Sequence, residues 1–598
     1  MTLVKAGGSR FAWGFLVGVV VYAESLAGSV HAARPPAAKL LPQNTVLFVY
    51  APSAADLLQR FLRTTLGQMG QDGQVQPFVK HFYASLAAGA ANLEQQTGLT
   101  LSELLSIPQG ELALAVVPEG GSPAAVLLCD AGGQVAKARQ LLQWAGDALE
   151  KSGSEKTEES VSGTVLVTYQ SGGERQRTVS FFERDSTVVI GTGREAVRQV
   201  LGAWDKKAGA TLADNDKFAA ILRSSREAPD QEPPLVWYVD PIPLMRSAGQ
   251  NNPQMQLAVA LLPALGLDGV LGVGGSYIPD AGGFDSVMHV HVLLNTPRAG
   301  LLEMIALGSG DTTPEPWVPA DVASYTTFYW RVGPSFKRLT SLFDSFRGEG
   351  ALSRELKRRF QDPIGLDVEK DLLPLLEGRV TLLVWVERPV SLGSRKTLLA
   401  LRVNDPVAAG RLLDRLAEKN REKMVRQSHA GRLYYEIPLP RRGAEALESP
   451  QTPTAPAPPK PCVGVVGDYL VLSDQVLYRK VLAQSAEPTN SLADALDFKL
   501  IASRIRRRSG GARPAMISFA RREENLRYLY ELAQTESGRE GLRKASQRNW
   551  LFRAIDAALE ANRLPPFESL ARYYAPSGAM LLDDGTSLHY TAFSLRRK

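Results

Sequence analysis

Short apolar runs bounded by glycine, proline and asparagine alternate along this chain with longer stretches in which apolar residues recur every third or fourth position. The first pattern predicts strands and the second amphipathic helices. In order, the chain gives a strand at Val46–Tyr50, helices over Ala54–Gly67 and Val75–Gln96, and a helix–glycine–strand element at Gly98–Val117. The strand Ala124–Asp130 pairs back onto Leu112–Val117 across Gly120-Gly121-Ser122-Pro123. A helix over Gln134–Glu150 follows, with Val135, Ala138, Leu141, Leu142 and Ala145 at helical spacing. Strands at Gly163–Tyr169, Thr178–Glu183 and Thr187–Ile190 and two helices ending at Ser225 come next. The strand Leu235–Val239, a helical region, and a closing hairpin of Gly269–Tyr277 and Phe284–Leu294 about Asp280-Ala281-Gly282-Gly283 complete the series. The apolar stretch Leu257–Leu271, broken by Pro263, Gly266 and Asp268, reads as a buried helix end and strand.

The same series is then written a second time. GLTLSELLSIPQGELALAVV at Gly98–Val117 returns as GLDVEKDLLPLLEGRVTLLVWV at Gly365–Val386, with Gly98 and Gly365 267 positions apart and Gly110 and Gly378 268 apart. In both copies a helix is expected to end at the second glycine, whose left-handed cap turns the chain into an apolar strand. Leu41–Thr45 before the first strand is echoed by Val318–Asp321 before the strand Tyr325–Trp330. Asp405 and Pro406 suit the N-cap and first turn of a helix matching Gln134–Glu150. Thr211-Leu212-Ala213-Asp214…Phe218 returns as Ser491-Leu492-Ala493-Asp494…Phe498, 280 positions on. The second copy closes with strands at Ala515–Phe519, Ser577–Leu582 and Ser587–Leu595. The expected fold is therefore α+β: two tandem homologous halves, 33–307 and 317–598, with mainly antiparallel sheets and packed helices. Residues 308–316 are the linker, and the Pro-rich segment 441–461 is read as a mobile surface loop.

At 598 residues the chain is too long for one core, and 44% hydrophobic with 22% charged residues is globular composition. Lys5 and Arg10, the apolar run Phe11–Ala23 and Val30-His31-Ala32 make residues 1–32 a secretory signal peptide, cleaved after Ala32. The alternative is an uncleaved signal anchor tethering the protein to the membrane, although the run is short for a span. Lys5, Arg10 and Glu24 fall in that segment, so its removal lowers the net charge by one, from +6 to +5. That excess is too thinly spread for a nucleic-acid binder. Cys129 and Cys462 lie on strands that are not equivalent in the two copies, and are expected to be buried free thiols rather than a bridge.

LDVEKDLLPLLEGRVTLL, the Leu41–Thr45 lead-in and the strand–helix Val188–Leu201 resemble a family of exported bacterial proteins catalogued only as a domain of unknown function. The resemblance covers most of the mature chain and implies export. It carries no catalytic residue over, because the family has none assigned.

Candidate chemistry is sparse. Gly191-Thr192-Gly193-Arg194-Glu195-Ala196 fits G-x-G-x-x-A between a strand and a helix, the arrangement that seats a dinucleotide pyrophosphate. At an offset of 281 the second copy has Leu472, Ser473 and Asp474, so only a hydroxyl, Thr192 or Ser473, is shared, and a helix-capping role is expected. Gly272-Val273-Gly274-Gly275 leads into a strand and is set aside for the same reason. His289 and His291 flank Val290 on a closing strand, share a face with Asp285, and are the candidate metal ligands. Surface-facing histidines are the plainer reading. Asp583-Asp584 sits in a turn, where aspartate is favoured for backbone reasons. The basic run from Arg504 to Arg522 has a single aromatic residue among its arginines, Phe519 on a strand, too little for stacking bases, and reads as a solvated helix end and loop.

The sequence thus points to an exported non-catalytic protein, periplasmic or extracellular, that binds or scaffolds an envelope protein or polymer. No cofactor, nucleic-acid partner or stable membrane span after signal cleavage is expected. The alternative is a secreted hydrolase, either metal-dependent and built on His289 and His291 or built on a carboxylate pair.

Overall fold

The computed structural model describes residues 34–120, 122–172, 177–207, 209–250, 252–305, 307–438 and 460–597. The signal-peptide segment 1–32 and nearly all of the loop 441–461 lie outside these residues. The chain forms two compact units. One takes the described residues up to Leu262 with Val270–Asn295 and Trp550–Tyr573; the other takes Pro263–Gly269, Thr296–Asn549 and Tyr574–Lys598. Trp550–Tyr573 comes from the second sequence copy but packs in the first unit, where helix Trp550–Ala561 contacts helix Gln76–Thr97. An amphipathic pattern fixes that a helix forms, not which body it covers.

Among the described residues the first unit has ten antiparallel strands: β1 Leu47–Ala51, β2 Leu112–Glu119, β3 Ser122–Asp130, β4 Ser154–Val161, β5 Thr164–Ser171, β6 Arg177–Arg184, β7 Thr187–Gly191, β8 Leu235–Val239, β9 Val270–Ala281 and β10 Phe284–Leu294. Their order across the sheet is β10-β9-β8-β1-β2-β3-β7-β6-β5-β4. In the second unit a two-residue strand, Leu307–Gly308, pairs with the end of β11 Ser324–Trp330, after which come β12 Leu376–Val386, β13 Arg395–Val403, β14 Val425–His429 and β15 Arg432–Glu436. They are followed by β16 Pro461–Val466, β17 Tyr469–Asp474, β18 Met516–Ala520, β19 Ser577–Asp583 and β20 Ser587–Leu595. Their order is β20-β19-β18-β11-β12-β13-β17-β16-β15-β14, the first unit's order repeated strand for strand. The α+β class and the duplicated antiparallel architecture are both present.

Each sheet is half-covered by the same two helices. In the first unit Arg194–Trp204 and Asp216–Ser224 bury Val197, Val200, Leu201, Phe218 and Ile221 against Phe48, Ala115, Val126 and Tyr238. In the second, Gln475–Ala486 and Leu496–Arg508 bury Leu477, Tyr478, Val481, Leu482, Phe498 and Ile501. One aromatic ring on the second helix sits edge-on to two strand rings in both units. Phe218 meets Phe48 and Tyr238 at 5.6 Å each; Phe498 meets Tyr325 at 6.1 Å and Phe519 at 5.5 Å. The lead-in segments are pinned alike, by isolated bridges Pro42–Thr211 and Pro319–Ser491.

The structure corrects three local expectations. The left-handed glycine caps are Gly98 (φ 70°) and Gly365 (φ 81°), the first of each repeated pair. Gly378 (φ 107°) instead lies inside β12, and Gly110 lies just before β2, where a Cβ would strike the Asp130 carboxylate. The edge strands β4 (SEKTEESV) and β14 (VRQSH) are missing from the apolar pattern because an edge strand buries little on either face. The helix Pro253–Leu265 is mostly exposed, Leu257 at 64%, rather than a buried helix end. Among the described residues no helix is long and apolar enough to cross a membrane.

Phe218→Ala and Phe498→Ala should each destabilise the protein by about 3–5 kcal/mol, the cost of deleting a buried ring. Urea unfolding checks this, and losses below about 1 kcal/mol would show that the triangle does not anchor the helices.

Candidate functional site

The glycine motif at Gly191–Ala196 is a structural joint. Glu119, from β2, accepts from the backbone N–H groups of Glu195 (3.1 Å) and Ala196 (3.0 Å), so a protein carboxylate occupies the anion position at that helix N-terminus. A Cβ on Gly193 would run into Glu119, and one on Gly191 into Val197. The expected hydroxyl cap is not formed. Thr192 Oγ1 accepts from Ala125 N–H, while Ser473 Oγ donates to the Thr397 carbonyl. Strand pairing also moves the equivalence by one residue: Val126 opposes Gly191 as Leu398 opposes Ser473, 282 positions apart. The first copy spends Thr192 and Gly193 where the second has Asp474 alone, and Asp474 caps its own helix through Val476 N–H.

His289 and His291 are both 5% exposed, which corrects the surface-facing reading. They do share the buried face of β10 with Asp285. His289 Nε2 lies 2.7 Å from Glu227 Oε1, and Asp285 accepts from Thr65 N–H. No group of three or more metal-ligating side chains forms among the described residues. Cys129 and Cys462 are free, and burial pushes both thiols up to about 12. Asp583 receives Arg298 through both of its oxygens (2.9 and 2.5 Å), and Asp584 accepts from Thr586 and Ser587 in the adjoining turn. In the basic run, Arg521 pairs with Asp497 at 2.7 Å, and Arg508 and Arg522 lie over Phe593 and Tyr574.

The site that no motif announced is a cavity of about 520 Å³ in the second unit, bounded by the segment Asp311–Trp317, the turn Gly467-Asp468 and the end of helix Gln475–Ala486. That volume lies within the range of small-molecule sites. Its floor is a buried ion pair, Glu315 and Arg379 at 3.2 Å, both side chains about nineteen-twentieths buried. Arg379 also donates to the Tyr325 hydroxyl (3.1 Å), Thr327 (3.2 Å) and the Thr313 carbonyl (2.5 Å). Glu315 accepts from Thr381 (2.7 Å) and Tyr325 (3.3 Å). Burial alone would lower Arg379, but Glu315, Tyr325 and Tyr469 hold it above its ordinary value. Burial, reinforced by Glu315, pushes the Tyr325 and Tyr469 phenols up, so both stay protonated. At the mouth, Arg402 pairs with Asp468 (2.9 Å) and Glu377 (3.0 Å).

Trp317 is 4% exposed and packs edge-on to Tyr469 with ring centroids 5.4 Å apart. Among the described residues no group accepts from its buried indole N–H. A Cβ on Gly467 would lie 3.8 Å from its Cδ1 and 4.0 Å from its Nε1, so the pyrrole edge faces the turn.

The first unit shows why this space is open. Its buried helix residues Ala196, Val197, Val200 and Leu201 return as Leu477, Tyr478, Val481 and Leu482, 281 positions on, which puts Ser485 at the place of Trp204. Pairing of Arg184 with Thr187 and of Val466 with Tyr469 puts Gly467 at the place of Asp185. In the first unit Trp204 Nε1 donates to Asp185 at 3.0 Å, with the Arg34 and Arg184 guanidinium groups over its ring at 5.6 and 5.9 Å. That plug is absent from the second unit. Trp317 stands instead where the lead-in of the first unit has Leu40, and the turn beside its N–H carries Gly467 where the first unit has Asp185.

No family model matches the chain, and no curated protein matches it. Among solved structures, crystal forms I, III and IV of TP0453 match with TM-scores of 0.22, 0.21 and 0.20 at 9%, 10% and 10% identity. They cover 45%, 45% and 44% of this chain and 82%, 83% and 81% of their own.

Burial raises the Asp583 carboxyl, but Arg298 and the Gly585 and Leu307 N–H groups outweigh it and hold the group below its usual 3.8. A depressed acid adds stability above the ordinary carboxylate range and loses it as the pH falls through its folded value. Asp583→Asn should therefore cost about 3 kcal/mol at pH 7, by leaving Arg298 unpaired, and progressively less toward pH 2. Urea midpoints across that range test it; a gap independent of pH would contradict it.

Proposed function

We propose that this chain is an exported, non-catalytic binding protein of the cell envelope, and that the cavity of its second unit holds its ligand. The observation that carries the reading is the paired loss of Trp204 and Asp185 at Ser485 and Gly467, which leaves an open volume beside a buried, unpartnered indole N–H. Leaving such a donor unsatisfied costs on the order of 1–3 kcal/mol, and an acceptor brought by a ligand would recover it. The arginines of the site are tied to Glu315, Asp468 and Glu377, and Asp311 accepts from the Thr313 N–H, an arrangement suited to fixing a bound molecule and not to transferring protons or attacking bonds. Export rests on the N-terminal pattern of Lys5, Arg10, Phe11–Ala23 and Val30-His31-Ala32. The hydrolase alternative has less support, since His289 is engaged by Glu227 and Asp583 by Arg298.

The test is closure of the cavity. Gly467→Asp is compatible with the backbone, because Asp185 occupies the same turn position at φ 48° against 57° for Gly467. Combined with Ser485→Leu it should fill the space and keep the fold. In ligand-observed NMR with a mixed library of small polar metabolites, we expect at least one compound to bind the unaltered mature protein and lose more than about tenfold in affinity in the double variant, the equivalent of ~1.4 kcal/mol. A library in which no compound distinguishes the two proteins would refute the assignment.

A further inference from the structure

Resting on the reading of that cavity as the ligand site, we infer that its ligand is a neutral, polyhydroxylated ring, a saccharide unit. Three features of the cavity select this class.

The first is the unpartnered Trp317 N–H. It demands an oxygen or nitrogen acceptor on the ligand, which a metal ion or an alkylammonium group does not bring.

The second is charge. Asp311, Glu315 and Asp468 face Arg379 and Arg402 around the space, and each arginine is already paired, Arg379 with Glu315 and Arg402 with Asp468 and Glu377. Burial opposes ionisation of Asp311, but the Thr313 N–H and hydroxyl with Arg379 and Arg402 hold its carboxyl below the ordinary value. A carboxylate or phosphate ligand would meet these anions with no arginine free to neutralise it. An uncharged ligand meets no such penalty. Ionised carboxylates accept from hydroxyl donors and guanidinium groups donate to hydroxyl oxygens, so alternating acid and base side chains suit a molecule whose every polar group is both donor and acceptor.

The third is the wall. Trp317, Pro314, Pro316 and Pro488 present rigid apolar surface in the same cavity. A sugar ring carries C–H faces between its hydroxyls and can use both kinds of surface at once, with little ordering cost on the protein side.

The experiment is titration calorimetry on the full mature protein with glucose, N-acetylglucosamine and maltose, against the charged rings glucuronate and glucosamine. At least one neutral sugar should bind at least tenfold more tightly than either charged ring. Trp317→Phe, which keeps the ring and removes only the N–H, should weaken that sugar about five- to tenfold, the equivalent of one hydrogen bond. Its retained fold is checked by an unchanged far-ultraviolet spectrum, and Gly467→Asp should abolish the same binding independently. Equal or tighter binding of glucuronate or glucosamine overturns the inference, as does a neutral sugar indifferent to both substitutions. If the metabolite library yields a cavity ligand of another class while all five rings fail, the saccharide assignment falls and the binding function stands. If nothing binds in either experiment, both fall.

Discussion

A buried ion pair where the chain enters each sheet is the constraint on which the architecture rests. In the first unit Arg34 reaches Glu111, which also accepts from Ala37 N–H; in the second Glu315 reaches Arg379. Glu111 and Arg379 occupy the same position, directly after the second repeated glycine, so the sign of the pair is reversed between the copies. Removing one member would leave the other buried and uncompensated, at a cost of roughly 3–5 kcal/mol. A pair inverted as a unit keeps its lead-in segment fixed whichever side carries the cation. Tyr50 and Tyr325, which hydrogen-bond to these carboxylates, are pushed up by burial and the adjacent negative charge and remain donors at any physiological pH.

From that fixed floor the two units diverge in one layer. The first stacks Trp204 over its ion pair and satisfies the indole with Asp185. The second moves its tryptophan to the lead-in, at Trp317, and replaces the plug with Ser485 and Gly467. Strand order, aromatic triangle and lead-in bridges are all held constant across this change. The first unit therefore serves as an internal reference for the second: the same scaffold, once filled and once open.

Much of this scaffold was legible as pattern. Alternation placed β1, β3, β10 and β20 closely, and the breaker-rich turns placed the closing hairpins, because those strands bury one face and turn at glycines. The polar edge strands β4 and β14 escaped, since nothing in SEKTEESV or VRQSH distinguishes a solvated strand from a loop. Strand order, and the transfer of Trp550–Tyr573 to the first unit, depend on tertiary packing and leave no local trace. The glycine motif misled in a specific way: its junction is one residue longer than its partner, so the register assumed across the strand slipped by one. The cavity was invisible for the opposite reason. Its signature is two missing side chains, and an absence is read only once pairing fixes which residues of the two copies correspond.

The central claim is that the indole N–H of Trp317 lacks an acceptor because Gly467 stands where the first unit has Asp185. The indole Nε1–H resonance of Trp317, assigned in ligand-free protein and in Gly467→Asp, measures this directly. The account predicts a resonance upfield of the hydrogen-bonded indoles, Trp204 among them, that moves downfield and exchanges more slowly with solvent once the aspartate is present. A resonance already in the hydrogen-bonded range and unmoved by the substitution would contradict it.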